Sequence, residues 1–464
     1  MKIQLVGGSY QERSLAFDAQ RSINLYAVAD PQGADTAALY GTPGLVQFAN
    51  LGTDAIRGCF RAANDRAFAV SGSSLYEVFT DGTSTLRGTL ITGTGALTMD
   101  DNGFQLGICD GEFVYMFTYA SNVFARVTDA DLPLASGISF IDGYFVIAEK
   151  DSGKFYISGL YDGTTWDALD FASAESSPDQ LVRATNFVGQ LGLFGTNTLE
   201  IWRNTGDATF PFSRISGATQ IGTIAPNTVL SLDTSVFWVG NNDQGTGIVY
   251  KAQGFTPTRI STSPIEKILQ AVSQPQALRA WTYQEDGHVF YCITGSDLPT
   301  TLVYDLSTGL WHERARLNAG NLEQHLGVCY MNAFNKHLIG SRIDGKLYQM
   351  SLSIYSDDGN PLLRRRVYTH LIDELKPIRY SELKIGVETG VGLQSWQGSN
   401  PLISLRISKD GARTWGDSYT TSIGAAGKYQ TEVNFRRLGI AQQCTFEVSI
   451  SDPVKVALIG SYLK

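Results

Sequence analysis

The chain has 464 residues with 48 Gly, 21 Tyr, 23 Phe and 7 Trp but only 17% charged residues, and its 36 basic and 45 acidic side chains leave a net charge of −9. A composition so rich in turn formers and aromatics, and so poor in charge, excludes a disordered or coiled-coil protein, and the acidic balance argues against a broad basic surface that grips nucleic acid. The length exceeds the roughly 250–300 residues that one hydrophobic core serves, so two or three domains are expected.

Residues 1–50 read as an N-terminal segment whose clearest element is one strand over 21–28 (RSINLYAV). It lacks the repeating aromatic found further on and is expected to pack with the C-terminal region. From 51 to 355 seven segments share one pattern: apolar strand, turn rich in Gly, Asp, Ser and Asn, then a strand with an aromatic. They lie at 66–78, 103–117, 143–158, 189–203, 235–252, 287–306 and 336–350, and their second-strand aromatics are Tyr76, Tyr115, Tyr156, Trp202, Tyr250, Tyr304 and Tyr348, spaced 39 to 54 residues apart. A hairpin at that period is the mark of β-propeller blades, because one hairpin cannot bury its apolar face alone, whereas radial stacking gives each sheet two neighbours. Ordinary hairpins in a β-sandwich are the alternative, which gives no reason for a steady aromatic period. Six or seven blades fit, since one copy can be shared with a terminal segment.

One helix stands out. Ser263 offers an N-cap, Pro264 suits the first helical position and Glu266 suits a capping box, and Ile265, Ile268, Leu269 and Val272 follow at helical spacing. Beyond residue 355 the rhythm changes to a turn at 357–361, a basic run, and longer alternating strands at 381–390, 402–410, 429–439, 444–452 and 454–463. The expected fold is therefore all-β: a propeller over 51–355 and a β-sandwich-like domain over 356–464, with residues 1–50 as its candidate companion.

Candidate chemistry is sparse. Cys59, Cys109, Cys292, Cys329 and Cys444 are scattered and odd in number, as free thiols in a reducing compartment would be. The first ten residues hold no apolar stretch, so no signal peptide is expected, and no run approaches 18 apolar residues. The five histidines show no ligand spacing, and the Asp129–Asp131 pair lacks the other ligands of a calcium loop. Gly93-Thr94-Gly95 and Gly245-Thr246-Gly247 read as hairpin turns, and there is no nucleophile elbow. No catalytic residue, cofactor site or metal site is expected. Residues 408–415 (SKDGARTW) resemble the Asp-box of sialidases and related propellers, a turn-fixing device, with Ala412 where the motif has glycine. The basic clusters Arg364, Arg365, Arg366 and Arg436, Arg437 are expected on the surface, as a solvated face or as contacts to an acidic partner or a neighbouring subunit.

Several landmarks, in order, resemble the packaged-DNA stabilisation (tail nozzle) proteins of short-tailed phages. They are 21–26 (RSINLY) followed by 39–45 (LYGTPGL), 189–191 with 197–202 (NTLEIW), 222–225 (GTIA), 263–269 (SPIEKIL), and 303–306 (VYDL) ending at Trp311. No single one is specific; their order over roughly 20–350 carries the resemblance.

That resemblance implies a structural virion protein at the distal end of a short tail, assembled in the bacterial cytoplasm and without enzymatic activity. It implies a homohexameric ring through which genomic DNA passes without sequence-specific binding. The implied neighbours are the adaptor or head completion proteins below the portal, a needle or plug protein, and tailspikes or fibres. The acidic balance suits a conduit whose wall repels DNA. The alternative is a receptor- or glycan-binding, sialidase-like propeller, favoured by the Asp-box-like turn and the many Tyr and Trp.

Overall fold

The computed structural model describes every residue except 31, 33–35, 175–176, 233, 244 and 375. Among the described residues, seven four-stranded antiparallel blades occur in chain order. The first five span 56–89, 98–126, 135–173, 181–219 and 230–259, and the sixth spans 279–318. The seventh takes three strands from 327–351 and its fourth from Gly44–Asn50, which pairs antiparallel with Lys346–Ser351, Leu45 opposite Met350. Each of the seven hairpins legible in the sequence forms the middle strand pair of one blade.

The core of the propeller is a series of wedges. Phe68, Val70 and Leu75 of blade 1 pack on Leu106, Ile108 and Phe117 of blade 2. The same kind of buried cluster recurs between each following pair. Between blades 7 and 1 it joins Met331, Leu338 and Leu347 to Ile56, Ala67 and Ala69, which closes the ring. The closure is tight: a Cβ on Gly340 of blade 7 would lie 2.4 Å from Cγ2 of Ile56, so only glycine fits at that approach. Hairpin tips use left-handed pairs such as Asp142-Gly143 and Asp286-Gly287, whose twist matches that of the flanking strands.

The C-terminal domain is a sandwich that residues 2–41 help to build. One sheet runs Leu25–Ala29, Ala37–Gly41, Ala457–Leu463, Ile378–Val387 and Val433–Ala441, with Lys2–Ile3 also on Ala457–Leu463. The other runs Ala19–Ile23, Arg364–Val367, Gln443–Ile450, Leu402–Ser408 and Tyr419–Ser422. Leu25, Leu39, Leu383, Leu405, Phe446 and Val448 fill the space between them. The second sheet continues into blade 6, because Ile23 pairs in parallel with Glu313.

Three details differ from the sequence reading. Residues 21–28 form two strands, Ala19–Ile23 and Leu25–Ala29, broken at Asn24, whose φ of 53° carries the chain from one sheet to the other. Residues 44–50 belong to the propeller, so the N-terminal segment serves both domains. The helix Ser263–Gln270 lies between blades 5 and 6, but its N-cap is Thr262 and makes no side-chain cap; Glu266 instead accepts from Arg259 at 2.6 Å and from Ser261 at 2.6 Å. No helix among the described residues is long and apolar enough to cross a membrane.

Candidate assembly surfaces

The run Arg364-Arg365-Arg366 does not form a surface patch. It lies on a strand with neighbours on both sides, Ala19–Ile23 and Gln443–Ile450. Alternation then turns Arg364 and Arg366 inward, where both are buried. Arg366 donates to the Leu5 carbonyl at 2.7 Å, the Gly8 carbonyl at 2.9 Å, Ser22 Oγ at 3.1 Å and Gln20 Oε1 at 2.6 Å, pinning the N-terminal segment onto the sandwich. Arg364 donates to the Asp452 carbonyl at 3.1 Å. Burial pushes both guanidinium groups down to about 10, which leaves them charged at neutral pH. Arg365 is half-buried beside Glu447, at 3.7 Å, and Glu447 also accepts from Arg406 at 2.6 Å. These arginines build an internal joint.

That joint extends to the propeller through Glu313 of blade 6. Its carboxylate accepts from Arg21 at 2.9 and 2.5 Å, Thr300 Oγ1 at 2.7 Å and Ser9 Oγ at 3.0 Å. Burial acts to raise the Glu313 carboxyl, but the Arg21 charge and these hydrogen bonds outweigh it and hold the group below the usual carboxylate range. Asn24 adds three bonds at the corner: its amide donates to the carbonyls of Ala315 (2.7 Å) and Leu363 (2.8 Å), and its oxygen accepts from the Ala315 N–H (3.0 Å). Hydrogen bonds to charged groups contribute about 1.5–3 kcal/mol each, so a joint of this kind couples the domains firmly.

Arg436 and Arg437 are exposed, on the outer part of Val433–Ala441. Arg436 pairs with Glu382 at 3.2 Å, while Arg437, in a left-handed bulge at φ 62°, makes no ion pair among the described residues. Sheet register brings two further cations here that the sequence reading missed. Arg379 lies opposite Ile440, and Lys409 Nζ sits over Gly439. Arg379 is signalled by strand alternation, being exposed beside buried Tyr380; Lys409 belongs to a distant loop and has no local signal. The result is an exposed basic patch with Ile440, 59% exposed, within it. Guanidinium groups in that setting suit carboxylates on a partner's surface.

The Asp-box-like turn is a folding device. Ser408 Oγ accepts from the Ala412 N–H at 2.9 Å and donates to Asp410 at 2.8 Å. Asp410 accepts from the N–H groups of Arg413 (3.1 Å) and Thr414 (2.9 Å) and from Thr414 Oγ1 (2.6 Å). The Thr414 bonds, with Ser408, hold its carboxyl well below the usual range. Asp129 likewise spends its carboxylate on the N–H groups of Asp131 and Trp166, both at 3.1 Å.

Two family models match the chain: bacteriophage P22 Gp10, beta-propeller, over residues 1–355, and bacteriophage P22 Gp10, beta-sandwich, over 364–464. The chain belongs to the bacteriophage P22 Gp10 family. Gp10-family proteins are structural components of the phage tail; the propeller match takes in all seven blades together with residues 2–41, whose strands pair in the sandwich, and the sandwich match covers the remaining strands of that domain. No curated protein matches in sequence. Similar solved structures include the extracellular domain of the hybrid two-component system BT4673 from B. thetaiotaomicron, at 9% identity and TM-score 0.46 over 66% of this chain and 39% of that one. The chain thus spans about two fifths of the length of that protein. The Pan2 WD40 domain of Neurospora crassa matches at 10% identity and TM-score 0.42, over 67% of this chain and 95% of that one.

Proposed function

We propose that this Gp10-family protein forms the distal nozzle of a short phage tail, retaining packaged DNA after packaging and conducting it during ejection. The observation that carries the reading is the family match over nearly the whole chain, both domains included. In this reading several copies, six in the ring the resemblance implies, surround the channel after assembly in the host cytoplasm. They meet adaptor proteins on one side, a plug or needle in the mouth, and tailspikes or fibres outside, while genomic DNA slides through without sequence-specific contacts. Two features of the chain support it. The buried Arg366 and Glu313 networks make propeller and sandwich one stiff body, as a part under pressure requires. The Arg379–Arg436–Arg437–Lys409 patch supplies an exposed surface for heterologous contact with an adaptor or the adjacent subunit, the contact type by which rings close.

The test is the fraction of DNA-filled heads in particles assembled without this chain, counted by electron microscopy. Heads that fill and then empty, and that stay full when purified protein is added back, are expected. Heads that remain full on particles that fail only to adsorb would overturn the nozzle role and favour receptor binding.

A further inference from the structure

The axis of the propeller holds an unusual concentration of positive charge. Innermost strands of six blades line one cavity of about 230 Å³, and three arginines reach it: Arg57 from blade 1, Arg183 from blade 4 and Arg279 from blade 6. No carboxylate lines it among the described residues. A second cavity of about 440 Å³ shares Arg57 and Arg279 with the first and is lined as well by Arg342 and Asp54.

The three arginines are used differently. Arg57 spends its donors within the chain, on the carbonyls of Gly72 (3.0 Å), Thr92 (2.6 Å) and Gly95 (3.0 Å) and on Thr92 Oγ1 (3.0 Å). Among the described residues the Arg279 side chain makes a single bond, to the Arg57 carbonyl at 3.2 Å. Arg183 makes none among the described residues, and its Nε is buried without a partner. The carboxylate whose charge acts on it is Asp100, which is already engaged by the Phe140 N–H (2.7 Å) and Ser139 Oγ (3.2 Å). Blade 3 makes room for it: a Cβ on Gly137 would lie 3.1 Å from Arg183 Nη1, so the bare strand there is a bed for the guanidinium. A cation drawn into a cavity without a counter-charge is disfavoured, and neighbouring cations add repulsion; burial lowers all three guanidinium groups from their ordinary value.

We propose that the axial cavity binds a tetrahedral oxyanion, as inorganic phosphate or a small phosphate ester, held between Arg183 and Arg279. The two guanidinium groups come from different blades, 4 and 6, which suits an anion with oxygens on more than one side; a phosphoryl group has them and a lone carboxylate does not. The cavity is far too small for duplex DNA, so this site is separate from any conduit the assembled ring encloses.

The test uses the purified full chain. Thermal melts in phosphate, in glycerol phosphate and in potassium chloride at equal ionic strength are compared, and binding is titrated calorimetrically. At least one phosphate arm is expected to raise Tm by about 3 °C over chloride. Binding at one site per chain should weaken at least about tenfold in Arg183→Met and in Arg279→Met. Arg436→Met, on the outer patch, should respond as the parent does. A response to glycerol phosphate alone assigns the site to an ester. Melts no higher in either phosphate than in chloride, or undiminished binding in both cavity variants, would overturn the proposal. The parent titration stands as a test even if one variant does not fold.

Discussion

Ala412 sits at φ 62°, the left-handed region that costs an L-residue roughly 1–2 kcal/mol, at the place where an Asp-box carries glycine. The turn tolerates it because Ser408 Oγ holds the Ala412 N–H directly. Ala412→Gly should therefore stabilise the folded chain by about 1 kcal/mol in a denaturant melt, less the added freedom of the unfolded glycine; a destabilised variant would mean the methyl packs usefully. This motif was legible because all its bonds span at most four residues. The basic run was not. Arg364 and Arg366 look solvated in sequence, and only the strands on either side, one of them from residues 19–23, take them out of water. Asn24 shows the same limit: RSINLYAV reads as one strand, yet a single left-handed residue, held by carbonyls some 300 positions away, splits it between two sheets.

Among the elements, the middle hairpins of the blades were all recoverable because their pairing is local and each carries an aromatic at a fixed place. The strand Gly44–Asn50 was not, since its partner Lys346–Ser351 lies about 300 residues on and nothing near it marks the pairing. Leu45 anchors this clasp, 1% exposed in the cluster between blades 6 and 7 with Tyr348 and Met350. Leu45→Ala should lower the unfolding free energy by about 2–4 kcal/mol, the usual cost of emptying such a site. A loss below about 1 kcal/mol would show that the clasp contributes little to ring closure.

Over the whole molecule, buried titratable groups set opposing pH dependences. Burial pushes Asp357 up to about 7 in spite of Arg364 nearby, and its carboxyl oxygens have no hydrogen-bond partner among the described residues. The unfolded chain releases that proton near pH 4 and the folded chain near 7, so this acid costs stability progressively as pH rises between them. Asp357→Asn should match the parent near pH 4 and exceed it by roughly 2–4 kcal/mol at pH 8, read from urea melts at each pH. An equal offset at both pH values would place the effect in packing. Burial holds His312 well below its ordinary value and His325 at about 3, so these act in the opposite direction, their contribution falling as pH drops below about 6.5. The clasp also governs when the molecule becomes whole. A ribosome emits residues 44–50 early and residues 346–351 some 300 peptide bonds later, so blades 1 to 6 can stack during translation while both ends of the ring stay open. The last blade is then a completion signal: a truncated chain lacks the strand that its own beginning needs, and it reaches the assembly line as an open arc instead of a ring-closed subunit.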